Sequence, residues 1–165
     1  MDNIILIGMP GAGKSTLGVL LAKAMGKLFV DTDIIIQQKT KRLLQDIIDN
    51  DGTDAFLKLE EDILLTVDEE NTVIATGGSA VYSEKAMEHF RKNGKIVYLH
   101  VDFAEIEKRV TNITTRGIVL KNGRSLADAF EERKPLYDKY ADVVIDCTGS
   151  TIENSVKMLT EKLNK

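Results

Sequence analysis

Short apolar runs alternate with longer stretches of helical period along the whole chain. Five runs are apolar at most positions, as expected for strands of a parallel sheet that is covered on both faces. They are Asn3 to Gly8, Leu28 to Asp31, Thr72 to Gly77, Lys95 to Val101 and Asp142 to Asp146. The stretches between them repeat apolar residues every three or four positions. This alternation predicts an α/β fold, a doubly wound five-stranded parallel sheet with helices on both faces.

Residues at the ends of the predicted helices fit helix-capping patterns. Ser150 precedes Glu153 by three positions and Asp102 precedes Glu105 by three, which is the spacing of a capping box. Gly94 stands where a C-cap glycine would end a helix. We therefore expect helices to begin near Ser150 and Asp102 and one to end at Gly94.

Two segments depart from the simple alternation. Residues 33–67 hold two helical patterns in succession, separated by turn residues at 49–52, and predict a helical insertion. Residues 111–125 lack a sustained period and contain two glycines and three cationic residues, which predicts a mobile loop. No repeat or linker interrupts the chain, so we expect a single domain over residues 1–165.

The composition and charge of the chain limit the classes of partner and cross-link that are expected. The formal net charge of -4 provides no positive field that would attract nucleic acid or anionic lipid. Cys147 is the only cysteine, which excludes an internal disulfide. The N-terminal residues lack the basic region and long apolar core of a secretory signal. We expect a cytoplasmic monomer without a nucleic-acid or membrane partner.

The first strand pattern runs into a glycine-rich loop, GMPGAGKS, over residues 8–15. The spacing is that of a P-loop, and it stands where the mechanism requires, after a buried strand and before a helix. Glycines let successive N–H groups turn toward a phosphate, Lys14 can reach the β- and γ-phosphates, and the Ser15 hydroxyl can ligate Mg²⁺. The motif predicts binding of ATP and Mg²⁺. The nucleotide-binding residues would be Gly11, Ala12, Gly13, Lys14, Ser15 and Thr16.

A P-loop alone does not distinguish a GTPase, a motor ATPase and a small-molecule kinase. The chain has no Asn-Lys-x-Asp motif for guanine, and its third strand pattern ends in Thr76, Gly77 and Gly78. Together with the helical insertion and the cationic loop, these features favour a phosphotransferase similar to nucleoside monophosphate kinases.

Four further segments, in the same order along the chain, resemble the shikimate kinase family. They are FVDTDIII at 29–36, ATGGSAV at 75–81, TTRG at 114–117 and ERKPLYDKYAD at 132–142. With the P-loop they span nearly the whole chain. The resemblance implies transfer of the ATP γ-phosphate to the 3-hydroxyl group of shikimate, a small-molecule acceptor, in aromatic amino-acid biosynthesis.

The resemblance also implies roles for single residues. Asp31 would share the Mg²⁺ site with Ser15, and Asp33 would orient or deprotonate the reacting hydroxyl group. Residues 111–125 would form a lid whose Arg116 closes over the phosphates next to Lys14.

The remaining implied contacts belong to the acceptor and to adenine. Gly77, Gly78 and Ser79 would let the backbone approach the acceptor, whose carboxylate Arg133 would bind. Arg109 would stack on adenine, and residues 148–152 would cover the opposite face of the base.

Simpler structural roles compete with these assignments. Asp31 and Asp33 could cap a helix, the glycine pair could form a plain turn, and Arg116 could be solvated. Arg133 could end a helix two residues before Pro135.

The acceptor half departs from the family pattern. Leu57 replaces a second carboxylate-binding arginine, and the neighbouring Lys58 lies about 100° around a helix from that position. Ser79 replaces a glycine, Gly117 a proline, and Gln37 a glutamate. These changes leave open a kinase for another small hydroxy compound or a non-catalytic ATP-binding module. Retention of both aspartates argues against the module, because binding a nucleotide needs no hydroxyl-orienting carboxylate.

Overall fold

All five predicted strands form one parallel sheet in a computed structural model that describes residues 2–110, 118–121 and 123–165. The strands are β1 (Asn3–Ile7), β2 (Leu28–Asp31), β3 (Thr72–Ala75), β4 (Gly94–His100) and β5 (Val143–Asp146). Their order across the sheet is β2-β3-β1-β4-β5. Every residue of β1 and β3 is buried, as expected for strands covered on both faces. The predicted α/β fold class is confirmed.

Helices follow the strands in alternation. They are α1 (Lys14–Met25), α2 (Thr32–Thr40), α3 (Leu44–Asp51), α4 (Thr53–Leu64), α5 (Glu84–Asn93), α6 (Phe103–Arg109), α7 (Leu126–Tyr140) and α8 (Ile152–Leu163). A 3₁₀ turn at Ala80–Tyr82 precedes α5. Within the described ranges, no helix is both long enough and apolar enough to cross a membrane.

The register of the central strands brings three loops to one level. Leu6 of β1 pairs with Ala75 of β3, and Ala75 pairs on its other side with Asp31 of β2. Beyond the end of β3, the N–H and hydroxyl groups of Thr76 both donate to the Leu6 carbonyl, at 3.1 and 2.8 Å. The loops after β1, β2 and β3 therefore leave the sheet side by side.

The predicted insertion contains three helices, α2 to α4, where the sequence pattern indicated two. Lys41 ends α2 with a left-handed φ of 57°, and the side-chain oxygen of Gln37 accepts a hydrogen bond from the N–H of Leu44 at the start of α3. The predicted turn at 49–52 was also placed too early, since α3 continues to Asp51 and only Gly52 (φ 90°) breaks the helix.

A second, smaller core holds these helices together. Its buried apolar residues are Ile36, Leu44, Ile47, Phe56, Ile63 and Val119. Val119 comes from the segment predicted as a mobile loop, and its neighbour Ile118 is also buried. Residues 111–117 and 122 of that segment lie outside the described residues, but its part at 118–119 is packed.

Two of the predicted helix starts differ in detail, and one helix start was not predicted. Thr151, one residue after Ser150, caps α8 by accepting from the Asn154 N–H. Asp102 precedes α6 without a side-chain capping bond, since its carboxylate faces the His100 Nε2 atom at 3.0 Å. A complete capping box that the sequence reading missed begins α7, between Ser125 and Asp128.

Gly94 follows α5 but does not form a left-handed cap. Its φ of -175° is extended and it begins β4. A Cβ atom there would lie 2.5 Å from the Asn3 carbonyl oxygen and 2.7 Å from Ile5 Cδ1, so glycine is required by close strand packing.

This difference gives a stability prediction. Gly94→Ala should lower the free energy of unfolding by about 3 kcal/mol, because the new methyl group would overlap backbone that cannot move freely. Gly26→Ala is the matched control, since Gly26 has a left-handed φ of 65° but open space around it. It should cost only about 1 kcal/mol. Urea unfolding of both variants measures the difference, and equal losses would contradict the packing explanation.

Candidate active site

The loop after β1 curls around the first turn of α1. Gly8, Gly11 and Gly13 all have positive φ, at 150°, 83° and 94°. A Cβ atom on Gly8 would lie 2.7 Å from the Leu99 carbonyl oxygen, so this position also needs a residue without a side chain. Gly13 precedes α1 without a side-chain capping bond. The N–H groups of the first helical turn are therefore available to an anion such as a phosphate.

Lys14 lies buried beneath this loop. Its Nζ atom donates to the carbonyl oxygens of Gly8 and Met9, both at 2.8 Å. These bonds hold the ammonium group against the loop, at the edge of the cavity that the loop borders. The loop thus combines helix N–H groups with a positioned cation, and its conformation fits the phosphates of a nucleotide.

Ser15 and Asp31 meet at the ends of adjacent elements. The Ser15 hydroxyl donates to Asp31 Oδ2 at 2.6 Å, and Asp31 Oδ1 accepts from the Asp33 N–H at 2.9 Å. Asp31 therefore caps α2, the simpler role considered for it, while its second oxygen faces Ser15. A hydroxyl and a carboxylate oxygen are ligands that Mg²⁺ prefers, so this pair fits the ion.

A single cavity joins the phosphate loop to the predicted acceptor residues. Its lining residues are Pro10, Gly11, Gly13, Lys14, Ser15, Thr16, Asp33, Phe56, Thr76, Gly77, Gly78, Ser79, Ile118, Val119 and Arg133. Burial raises the pKa of Asp33 to about 6, with a further increase from Asp31 and a decrease from Lys14.

Arg133 lines the same cavity. It is 2% exposed; its Nε atom donates to the Tyr82 hydroxyl at 3.2 Å, and Nη2 donates to the Val119 carbonyl. Nη1 has no hydrogen-bond partner among the described residues. Because α7 continues through Pro135 to Tyr140, Arg133 does not end a helix. Its third nitrogen is available to an anionic group in the cavity.

The turn after β3 brings backbone close to that cavity. A Cβ atom on Gly77 would lie 2.7 Å from Asp33 Oδ1, and one on Gly78 would lie 2.7 Å from Pro10 Cδ. The Tyr137 hydroxyl donates to the Gly78 carbonyl at 2.7 Å, which fixes the turn. Both glycines are therefore required by close approach, and the plain-turn alternative does not account for them.

Sequence reasoning missed Glu60 as a residue of the site. It is 2% exposed on α4, and Oε1 accepts a hydrogen bond from Ser79 Oγ at 2.7 Å. Burial raises its pKa to about 7, although the Ser79 bond acts in the opposite direction. A signal was present in the sequence, because Glu60 follows the apolar Phe56 by four positions and thus shares the buried face of a helix.

A second pocket lies on the other side of the phosphate loop. Its lining residues are Gly11, Ala12, Gly13, Thr16, Leu17, Arg109, Cys147, Ser150, Ile152 and Ser155. Arg109 Nη1 donates to the Gly11 carbonyl at 3.1 Å, which places the guanidinium at the rim. The predicted adenine contacts, Arg109 and part of 148–152, thus face one pocket. Arg116 lies outside the described residues, so its predicted role stays a prediction.

Leu57 and Lys58 do not line the main cavity. Leu57 is partly buried in an adjoining groove with Glu60, Ser79 and Tyr82. The Lys58 side chain is 66% exposed and pairs on the surface with glutamate and aspartate of its own helix. As expected from the helix geometry, it does not replace the family's arginine.

Comparison with known proteins agrees with this geometry. The family model described as shikimate kinase matches residues 10–164. The shikimate kinase of Francisella tularensis subsp. novicida is 34% identical over 162 residues, which cover 96% of this chain and 92% of that protein. The structure of shikimate kinase from Acinetobacter baumannii in complex with shikimate is similar with a TM-score of 0.90 and 27% identity, over 99% of this chain and 93% of that one.

A more distant likeness concerns the fold alone. Thymidylate kinase from Candida albicans has a TM-score of 0.62 at 14% identity, covering 99% of this chain and 91% of its own. It supports the predicted likeness to nucleoside monophosphate kinases. Judged by the family model and by the curated relative, the chain belongs to the shikimate kinase family.

Proposed function

We propose that this protein is an ATP-dependent kinase that transfers the γ-phosphate of ATP to the 3-hydroxyl group of shikimate. The observation that carries the proposal is the single cavity lined by Lys14, Asp33 and Arg133. The cavity is lined by the phosphate loop with Lys14, by the Asp33 carboxylate and by Arg133, whose Nη1 atom has no hydrogen-bond partner among the described residues. An acceptor with both a hydroxyl and a carboxylate group matches this arrangement.

Each group has a distinct task in the proposed reaction. Lys14 and the N–H groups of α1 bind the phosphates and stabilise charge that grows during transfer. Asp33 accepts the hydrogen bond of the attacking hydroxyl group and aligns it with the phosphate. Arg133 Nη1 binds the acceptor carboxylate, which sets the orientation of the ring. Arg116 would add a further positive charge at the phosphates.

Mg²⁺, the monomeric state and a cytoplasmic location belong to the proposal as well. Ser15 and Asp31 would hold Mg²⁺, which neutralises phosphate charge when it is bound. The use of ATP is compatible with the proposed cytoplasmic location.

Lys14→Ala should reduce kcat by about 10²- to 10³-fold, because the lysine charge is needed most when the phosphate oxygens gain charge. Lys23→Ala, a change to an exposed lysine in the last turn of the same helix, is the control and should keep native activity. Coupled measurement of ADP release decides, and native kcat in the Lys14 variant would exclude the proposed phosphate site.

Asp33→Asn should lower kcat by about 10²- to 10⁴-fold while ATP affinity changes little, because the amide keeps the shape but loses the charge that orients the hydroxyl group. Asp62→Asn, which removes an exposed carboxylate that pairs with Lys58, should be neutral. ATP affinity is measured separately by calorimetry. If ATP affinity falls and kcat does not, Asp33 belongs to the metal site.

Leu57→Arg should lower the KM for shikimate by about ten- to a hundredfold, the effect of one added charge-assisted hydrogen bond. The kcat should change little, since the carboxylate is held equally in the ground state and the transition state. Leu57→Met is the control for size without charge. Steady-state kinetics with shikimate measure both constants, and absence of shikimate-dependent ADP release from native and variant protein would refute the proposed acceptor.

A further inference from the structure

Glu60 is a buried acid that no task described above uses. One oxygen, Oε1, accepts a hydrogen bond from Ser79, but Oε2 is buried without a hydrogen-bond partner in the part of the chain that the structure describes. A Cβ atom on Gly77 would lie 3.2 Å from this oxygen and 2.7 Å from Asp33 Oδ1. Glu60 therefore lies directly behind the cavity wall, on the same side of Gly77 as the proposed hydroxyl-orienting carboxylate.

The elements packed against α4 present few charges to Glu60. Asp33 of α2 raises its pKa and Arg133 of α7 lowers it, in each case less than burial does. From α3, the buried side chains are the apolar Leu44 and Ile47. From α5, Lys85 acts on the neighbouring Glu61, and the 3₁₀ turn contributes Tyr82, which bonds to Arg133.

The balance of charge around the acceptor then depends on Glu60. Lys14 and Arg133 are the cations among the described residues that line the cavity. If Asp33 and Glu60 are both ionised, their two negative charges balance these two cations. An acceptor carboxylate then meets less attraction than it does when Glu60 is neutral and one positive charge remains in excess.

We propose that Glu60 is a specificity-determining residue that admits an anionic acceptor in its neutral form and weakens its binding once ionised. Binding of the acceptor is thus accompanied by uptake of a proton when Glu60 starts ionised. Because Ser79 donates to Oε1, the proton of neutral Glu60 resides on Oε2, the oxygen next to Gly77. The inference rests on the proposed function, since it assumes that the acceptor carries a carboxylate.

The test compares native protein with Glu60→Gln, which keeps the shape and stays neutral at every pH. The native KM for shikimate should rise about tenfold between pH 6 and 8.5, which corresponds to a tenfold preference for the neutral form. The KM of the variant should rise less than the native KM over this range, since only the ionisation of Asp33, whose pKa is about 6, remains to change it. Glu61→Gln is the matched control, because Glu61 bonds Ser83 and Lys58 outside the cavity, and it should follow the native profile.

A second readout needs no substrate. When a carboxyl group has a higher pKa in the folded protein than in the unfolded chain, the protein becomes less stable as the pH rises from the unfolded-state pKa to the folded-state pKa. In that pH range the unfolded chain releases the proton and the folded protein keeps it. With a folded pKa of about 7 for Glu60, the melting temperature of Glu60→Gln should rise relative to that of the native protein between pH 4.5 and 7, and the difference should persist above pH 7.

Ser79→Ala should move the rise in KM to higher pH, since it removes the hydrogen bond that favours the ionised form of Glu60.

Each outcome has one meaning. If shikimate supports ADP release but native protein and Glu60→Gln have the same KM at every pH, or their melting temperatures do not diverge, the inference is wrong and the proposed function stands. If shikimate supports no ADP release from any of these proteins at any pH, the proposed acceptor is wrong and the inference falls with it.

Discussion

The site depends on the pairing of β3 between β1 and β2. This order aligns Leu6, Ala75 and Asp31 across three strands, and the two hydrogen bonds from Thr76 to the Leu6 carbonyl extend the alignment beyond the sheet. Since parallel strands all end at the same edge, the three loops that follow must share one space. The phosphate loop, the aspartate pair and the glycine turn meet there because of the order of the strands.

Hydrogen bonds between buried polar groups at this edge hold Arg133 and the glycine turn in position. Arg133 uses two of its nitrogens on Tyr82 and Val119, which fixes the guanidinium plane and leaves the buried Nη1 atom without a hydrogen-bond partner among the described residues. Tyr137 ties α7 to the glycine turn through the Gly78 carbonyl and stacks on Tyr98, with ring centroids 5.0 Å apart. An unpaired buried nitrogen costs about 1–3 kcal/mol, a cost that a bound carboxylate would offset. Binding of an acceptor carboxylate should therefore raise the free energy of unfolding of the protein.

Features that depend on neighbouring residues in the sequence are predicted well, whereas features that depend on tertiary contacts are missed. The strands and the phosphate loop follow from short patterns whose physical causes lie within the pattern itself. Gly94 was assigned to a cap because the sequence cannot show that a Cβ atom at this position would lie 2.5 Å from the Asn3 carbonyl oxygen. Glu60 was overlooked for the same reason, since a glutamate in a helix is usually exposed and its burial here comes from Ser79 and the cavity wall. Of the predicted site residues, Arg116 alone lies outside the described part of the chain.

Two of the departures from the family pattern lie close together in the structure. Leu57 and Ser79 border the same groove, which Glu60 also lines. The Glu60 carboxyl group has a single hydrogen bond among the described residues, and that bond comes from Ser79. Ser79 can supply a hydrogen bond but no positive charge. It therefore satisfies one oxygen of Glu60 but does not offset the cost of burying the ionised carboxylate. The lack of an arginine at 57 and the ionisation of Glu60 both reduce the positive charge near the acceptor, so the two effects act together on any acceptor that carries a negative charge.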